Sequence, residues 1–341
     1  MISAPAISLL QHEIRDGDNH MADPGEVADL VIPVRNMGWS DATALQLELI
    51  PQTGNLSVIS DPVSRIDHLL PASSGMFSFR LKISKEVPPG TNDTLRCLLS
   101  DSSGLLLEKK LPLLLGKKPV AVISLSSSRV SARAMKTALD SIGAGFDTLF
   151  ALPSDILQYE TVFLILGTAG QGNHTLTIDK AASLSRYLES VGNLYMESYT
   201  SWYYVNKTPL HPFFKYTTMK VPVWFYPAAI GTAGTLGDGM GFDYSGAISY
   251  AIFDLQPVEP ALSTFTNTDS VPKSLQVAYR GEDYRTIATL LEFSSLTGTS
   301  PYSTRQELMQ RYLDFFGVNF KGPFALFHAD RDRVCAGGPI W

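Results

Sequence analysis

The stretch Met76-Phe77-Ser78-Phe79-Arg80-Leu81-Lys82-Ile83 alternates apolar and polar side chains without a break from Phe77 onward. The same alternation recurs over residues 44–49, and a period of two is typical of a β-strand that buries one face. Turn residues separate further short, mostly apolar runs at residues 27–34, 94–99 and 105–115. Because no helical period of useful length appears, residues 1–116 predict an all-β sandwich.

The pattern changes after Gly116. In residues 130–142 apolar side chains recur at helical spacing. Thr177 is a typical N-cap for a second helix, and Asn193 begins a strand-like run after it. Further strands are predicted at residues 120–125, 146–150 and 162–166. Strands that alternate with helices at this pace indicate parallel strands joined by crossover helices. Residues 117–320 therefore predict an α/β domain with a parallel sheet.

The bulk composition limits the class of protein. The chain has 341 residues, 45% of them hydrophobic, which is enough for two domains with sizeable cores. Its formal charge is −6 and it has no basic block, which argues against nucleic-acid partners and against an electrostatic hold on anionic lipid. No apolar run is long enough for a membrane span. The two cysteines, Cys97 and Cys335, lack metal-site spacing, and Cys97 is predicted to be a buried apolar side chain.

Three segments of the first half resemble a known kind of domain. Asp16-Gly17-Asp18-Asn19, Asp23-Pro24-Gly25-Glu26 and Arg35-Asn36-Met37-Gly38 are similar to the loops and turns of the immunoglobulin-like domains of secreted bacterial peptidases and adhesins. The resemblance implies an immunoglobulin-like β-sandwich over residues 1–116. It also implies a secreted or cell-surface location and a larger parent chain whose other domains are partners.

The acidic loop of this half allows two interpretations. Asp16, Asp18, Asn19 and Asp23 offer hard oxygen ligands at close spacing, which suits a structural Ca²⁺ ion. The spacing is not that of an EF-hand. The favoured alternative is a solvated turn in which these side chains bind their own backbone. No other cofactor is predicted.

The second half carries its own resemblance. Val191-Gly192-Asn193-Leu194-Tyr195-Met196-Glu197, together with residues 284–287 and 303–309, resembles the class I glutamine-amidotransferase-like, flavodoxin-like domains of secreted bacterial proteins. This implies a flavodoxin-like three-layer α/β domain with a parallel sheet over residues 117–320. Residues 325–338 resemble the opening of a polycystic-kidney-disease-type immunoglobulin-like domain. Residues 321–341 are therefore expected to be the truncated start of a further β-sandwich domain.

The strand that ends at Glu197 is where catalytic relatives carry a nucleophile on a sharp turn. Such a turn needs small residues, because the backbone must approach the nucleophile and leave an oxyanion site beside it. Here Ser198 has no flanking glycine and Tyr199 follows it, so Ser198 is predicted not to be a nucleophile. Glu197 is expected at the carboxyl end of a central strand, where ligands bind in such sheets. Alternatively, Glu197 orders the loop by accepting backbone N–H bonds.

Five further residues are candidates for the same crevice. His211 could act as a general base, although a loop histidine packed on aromatic rings is more common. Trp202 and Tyr203 lie just before it in the sequence. Residues 231–246 are rich in glycine but match neither a P-loop nor a dinucleotide fingerprint, so they are interpreted as flexible loops. Asp243 and Tyr244 are expected to face the crevice from these loops. The predicted binding set is Glu197, Trp202, Tyr203, Asp243 and Tyr244.

The sequence favours a non-catalytic binding or structural module that takes a peptide or glycan ligand. The alternative is an extracellular hydrolase that acts on peptide or glycan through Glu197 with His211 or Asp243. A gingipain-type cysteine peptidase is less favoured, since no cysteine lies in residues 117–320. Glu197 within hydrogen-bond reach of His211 in an open pocket would favour the hydrolase. Glu197 bonded to backbone amides would favour the module.

Overall fold

The structure is a computed structural model, and it describes residues 4–17, 20–167, 174–199, 201–202, 208–221, 227–246 and 252–318. The chain divides into two compact units, Met1–Lys118 and Pro119–Trp341. The predicted domain start at residues 321–341 lies outside the described residues, and so does Cys335. None of the described helices has the length and apolar character that a membrane crossing requires.

The first unit is built from nine strands: β1 (Ile7–Leu9), β2 (Glu13–Arg15), β3 (Val27–Asn36), β4 (Ala42–Pro51), β5 (Leu56–Val58), β6 (Val63–Leu69), β7 (Ser74–Ile83), β8 (Thr91–Asp101) and β9 (Gly104–Leu115). One sheet has the order β1-β3-β7-β5, with β2 also paired to β3. The other has the order β6-β4-β8-β9. Neighbouring strands in both sheets pair antiparallel. The strands predicted from alternation are therefore present.

The core of this unit is formed by the alternating apolar positions. Phe77 and Phe79 of β7 are fully or almost fully buried, as are Leu45 and Leu47 of β4. Burying one such side chain contributes about 1.5–3 kcal/mol to folding. Cys97 lies in the same core, as predicted, and burial raises the pKa of its thiol to about 11. The pattern that predicted the strands is thus also the pattern that builds the core.

Asn36, at the end of β3, is a buried polar side chain whose role the sequence did not reveal. Its Nδ2 donates to the carbonyls of Ser40, at 2.8 Å, and Leu69, at 2.9 Å. Its Oδ1 accepts from the amides of Gly38, at 2.9 Å, and Ala6, at 3.3 Å. One side chain therefore holds three separate chain segments together at one end of the sandwich, which we call the Asn36 tip.

The second unit contains strands β10 (Lys118–Ser124), β11 (Asp147–Leu149), β12 (Tyr159–Gly167), β13 (Asn193–Ser198), β14 (Tyr216–Val221), β15 (Ala228–Gly231), β16 (Gly241–Tyr244), β17 (Ile252–Pro257), β18 (Leu262–Thr266), β19 (Ser274–Arg280), β20 (Arg285–Thr289) and β21 (Leu296–Gly298). Its helices are α1 (Val130–Ile142), α2 (Ile178–Glu189) and α3 (Arg305–Phe316). Thr177 and Thr304 cap α2 and α3 by accepting backbone N–H bonds, and the cap at Thr177 was predicted from the sequence.

The prediction of a flavodoxin-like three-layer α/β domain with a parallel sheet is wrong. The structure has one ten-stranded mixed sheet in the order β11-β10-β12-β13-β20-β19-β18-β15-β16-β21, and a separate antiparallel pair, β14 and β17. Parallel pairs occur only in its first half, as in β10 with β11, β12 with β13 and β13 with β20. From β20 to β21 every pairing is antiparallel. The described residues are mostly β-structure in both units.

The error has a physical cause in one short connection. Only four residues separate β19 from β20, and Gly281 donates its amide to the carbonyl of Tyr284. A turn this short can join only antiparallel strands, whereas a parallel pair needs a crossover of a dozen residues or more. Of the glycines interpreted as loops, Gly234, Gly237 and Gly239 do lie in the turns between β15 and β16. Gly231 and Gly241 lie in the two strands of this hairpin, where a side chain on Gly231 would overlap the carbonyl of Gly237.

We predict that Asn36→Ala destabilises the sandwich by about 2–3 kcal/mol, because it leaves buried backbone groups without partners. The urea dependence of amide hydrogen exchange in β3 and β7 of the full chain measures this loss. The control Asn92→Ala, on an exposed position of β8, should change it by less than about 0.5 kcal/mol. Equal effects of the two variants would show that Asn36 does not hold the tip together.

Candidate functional site

The candidate site lies at the carboxyl ends of β10, β12 and β13 and in the segment after β20. Its lining is mostly polar: Ser126, Ser128, Val130, Ser131, Ile165, Gly167, Glu197, Glu292 and Ser294. We call this the strand-end pocket. Its volume is about 10 Å³. That is about the least space in which one water molecule fits, so the pocket as described does not hold a substrate.

Glu197 ends β13 with its side chain 1% exposed. Its Oε2 accepts the backbone amide of Phe293 at 2.9 Å, and the Tyr195 hydroxyl donates to the same oxygen at 3.4 Å. The Ser131 hydroxyl, from α1, also bonds to this carboxyl. Glu197 therefore fastens the end of β13 to the turn Phe293–Ser295 and to α1.

The electrostatics of the pocket favour a protonated Glu197. Burial raises its pKa to about 7, and the neighbouring Glu292 pushes it in the same direction. The Phe293 amide and the Ser131 hydroxyl act in the opposite direction, because they stabilise the charged form. Glu292 is 4% exposed and accepts the Ser295 hydroxyl at 2.9 Å. Two buried carboxyls thus share one small pocket, and the presence of Glu292 contributes to the raised pKa of Glu197.

Ser198 is fully buried in the strand-end region. Its Oγ accepts the amide of Ser201 at 3.2 Å, and Met196 and Tyr199 beside it are 1% exposed. The serine is engaged in a local turn and does not project from an exposed bend, as the absence of flanking glycines led us to expect.

No hydrogen bond among the described residues joins His211 to Glu197, and the His211 ring is held by its own loop. The Thr208 amide donates to Nδ1 at 2.9 Å, which places the ring proton on Nε2. Nε2 then donates to the carbonyl of Ser201 at 2.8 Å. Both ring nitrogens are therefore occupied by backbone groups. The ring also packs edge-on against Trp202, with centroids 6.3 Å apart.

The remaining predicted binding residues do not form one surface. Trp202 is 2% exposed and donates its Nε1 to the carbonyl of Thr289 at 2.9 Å. Tyr244 is buried, and its hydroxyl accepts the amide of Glu292 at 3.3 Å. Asp243 is exposed, because neighbouring residues of a strand point to opposite faces. Tyr203 lies outside the described residues.

The sequence analysis missed Glu292 and the serines that surround it. A signal for Glu292 was present, since it follows residues 284–287, which are part of the resemblance to flavodoxin-like domains, just as Glu197 ends the strand-like run that begins at Asn193. The carboxyl ends of neighbouring parallel strands meet at one edge of a sheet, so the two carboxyls could have been expected together. The serines carried no such signal, because short polar runs after strands are common in turns.

The acidic loop of the first unit brings together a different set from the one predicted. Carboxylate oxygens of Asp16, Asp23 and Glu26 lie within 4.8 Å of one another. Such oxygens suit a hard cation, but Asp16 also accepts the amides of His20 at 3.1 Å and Met21 at 3.4 Å, as a turn would require. Asp18 and Asn19 lie outside the described residues. Calcium binding at this loop stays a prediction.

Comparison with known proteins gives weak structural similarities only. No family model and no curated protein matches the chain. The CARDB domain of a Pyrococcus furiosus protein, solved in complex with di-metal ions, is 8% identical with a TM-score of 0.24, and the match covers 33% of this chain and 88% of that one. A FixG-related protein from Vibrio parahaemolyticus is 11% identical with a TM-score of 0.22, covering 33% and 98%. The C-terminal domain of wzt is 9% identical with a TM-score of 0.24, covering 34% and 77%.

The CARDB domains among these structural neighbours are immunoglobulin-like β-sandwiches, one of the three kinds of domain that the sequence resembles. The flavodoxin-like and polycystic-kidney-disease-type parts find no support among them. At these similarities nothing about ligand or activity transfers to this chain.

The raised pKa of Glu197 predicts a specific pH dependence. The folded protein binds this proton more tightly than the unfolded chain, whose glutamates titrate near 4.5. The resulting stabilisation is fully present below about pH 4.5 and is lost as the pH rises through about 7. Between pH 5 and pH 8, wild type should lose about 2–3 kcal/mol of unfolding free energy relative to Glu197→Gln.

Urea unfolding followed by the fluorescence of buried Trp202 measures this difference. Glu282→Gln, which removes an exposed carboxylate, is the matched control and should follow wild type. If Glu197→Gln also follows wild type across this range, the carboxyl is not buried as described.

Proposed function

We propose that this protein is a non-catalytic binding or structural module of a secreted or cell-surface bacterial protein. One observation carries the proposal. The Glu197 carboxyl accepts the Phe293 amide inside a closed pocket, while backbone groups of Ser201 and Thr208 hold the His211 ring elsewhere. Glu197 bonded to a backbone amide is the arrangement expected of a module.

The chemistry of hydrolysis supports this choice. A general base must come within hydrogen-bond reach of the proton that it removes, and a substrate needs a cleft of some hundreds of Å³. The strand-end pocket offers about 10 Å³, and Ser198 is fully buried. The polar groups of the strand-end pocket bond to one another and to the backbone. Their contribution is to join the ends of β13, the segment after β20 and α1.

A hydrolase that uses Glu197 with His211 or Asp243 is the second candidate, and one observation favours it. A carboxyl with a pKa near 7 is what general acid–base catalysis at neutral pH requires. Burial is the largest cause of that pKa, however, and no hydrogen bond among the described residues joins Glu197 to His211 or Asp243. The hydrolase is therefore the weaker proposal.

The partners proposed for the module are other domains of its parent chain and a peptide or glycan. The Asn36 tip supports a contact of this kind. Trp39 is 88% exposed, Met37 61% and Leu70 58%. The backbone of this end is fixed by Asn36, so the apolar side chains are presented on a rigid support. Clustered exposed apolar side chains mark interaction sites. The secreted location rests on the resemblance of the turns to those of secreted proteins.

In the test, the full chain is treated with a fluorophosphonate and, separately, with defined peptide and glycan mixtures. Mass spectrometry detects an adduct on the protein in the first case and cleavage of the mixtures in the second. We expect no adduct on Ser198 and no cleavage. The proposal fails if cleavage occurs that Glu197→Gln abolishes and the control Glu282→Gln retains. An adduct on Ser198 would contradict it as directly.

A further inference from the structure

We propose that an open cleft beside α3 binds a peptide segment that carries a carboxylate next to an apolar side chain. This inference rests on the proposed binding function and names a ligand class for it. The cleft has a volume of about 500 Å³, and its principal lining residues are Leu236, Leu262, Ala278, Arg280, Arg311 and Phe315. Small-molecule and peptide sites have volumes of some hundreds of Å³, whereas the strand-end pocket is far too small.

The floor of the cleft comes from the antiparallel half of the sheet. Ala278 of β19 is only 6% exposed, and its short side chain leaves room above it. Leu262 of β18 pairs directly with Ala278 and is 55% exposed. Phe315 of α3 forms the facing wall and is half-buried. These three residues offer an apolar seat for a single side chain.

Arg280 supplies a charge at one end of this seat. Its guanidinium lies 5.1 Å from the centre of the Phe315 ring, which orients it by a cation–π contact. Its Nη2 lies 3.4 Å from the carbonyl of Phe315, and none of the ion pairs among the described residues includes it. Arg285, its cross-strand partner, donates to the same carbonyl at 2.6 Å. The Arg280 guanidinium, which lines the cleft, is therefore the proposed seat for a carboxylate, because a carboxylate can bind arginine in a bidentate manner.

Arg311, in contrast to Arg280, is bonded to several groups of the chain itself. Its Nη1 donates to the carbonyls of Leu236, at 3.2 Å, and Asp238, at 2.6 Å, and its Nε lies 3.5 Å from Glu307. It therefore fixes the wall of the cleft that residues 234–236 form. Arg280 is left as the group that can receive an anion.

The polar groups on the rim favour a peptide over a simple fatty acid. Asp314 lines the cleft with an exposed carboxylate, and Thr235 adds a hydroxyl. Both can accept hydrogen bonds from peptide N–H groups, which a fatty acid lacks. Asp314 also disfavours a second anionic group at its own end of the cleft. The carboxylate of the ligand is therefore directed to Arg280.

The experiment uses N-acetyl-Leu-Phe with a free carboxylate, its C-terminal amide, and methyl glucuronide as three probes of the full chain. Saturation-transfer NMR measures their dissociation constants. We expect the free acid to bind with a dissociation constant of about 1 mM and the amide to bind about tenfold more weakly, because the charge-assisted bond is lost.

Variants connect the binding to the cleft. Arg280→Gln should weaken binding of the free acid to the strength seen for the amide. Arg186→Gln, at an exposed position on α2, should leave binding of both dipeptides unchanged. Ala278→Leu should abolish both by filling the seat. Leu262→Glu tests the same seat at an exposed position, where folding is not at risk, and should weaken the acid more than the amide.

The outcomes separate this inference from the proposed function. The inference is overturned if neither dipeptide binds, if both bind with equal strength, or if methyl glucuronide binds better than the acid. In those cases the absence of an adduct or cleavage would still support a non-catalytic module. Conversely, cleavage that depends on Glu197 would overturn the proposed function whether or not the dipeptide binds at Arg280.

Discussion

The hydrogen bond from the Phe293 amide to the buried Glu197 carboxyl is the contact on which the second unit depends. In a sheet with parallel strands, the carboxyl ends of those strands form the crevice where ligands normally bind. Here the side chains of Glu197, Glu292 and Ser131 line that crevice. The Ser131 hydroxyl bonds to the Glu197 carboxyl. The position at which other sheets bind a ligand here joins the end of β13 to α1 and to the segment after β20.

Because the strand-end pocket is too small for a ligand, we expect binding at another part of the sheet. The tight turn between β19 and β20 adds antiparallel strands beyond the parallel ones, and α3 covers only part of their face. Where α3 ends, Phe315 and the arginines around its carbonyl border an open cleft above Ala278. In this mixed sheet, polar side chains leave little room at the ends of the parallel strands, whereas a larger cleft is open above the antiparallel strands.

Features set by neighbouring residues were predictable from the sequence. The alternation in β7 gave a strand and its buried face, and Thr177 marked the start of a helix. Features set by distant residues were not. The pairing of β18 with β15 and β19, the bonds that Asn36 makes to Leu69, and the meeting of Glu197 with Phe293 join residues whose separation in sequence carries no local signal. The loop interpretation of residues 231–246 holds for the turns between β15 and β16, but it missed the strand position of Gly231, because close packing in a hairpin and flexibility in a loop call for the same residue.

The most direct test of this account is an NMR titration of the Phe293 amide in the full chain from pH 4 to pH 9. A hydrogen bond to a buried carboxyl predicts an amide proton that is protected from exchange and whose chemical shift changes with a midpoint near pH 7. An amide that exchanges freely, or a shift with a midpoint near 4.5, would mean that Glu197 stands in solvent. The strand ends would then be open to a substrate, and a non-catalytic module would no longer be the conclusion.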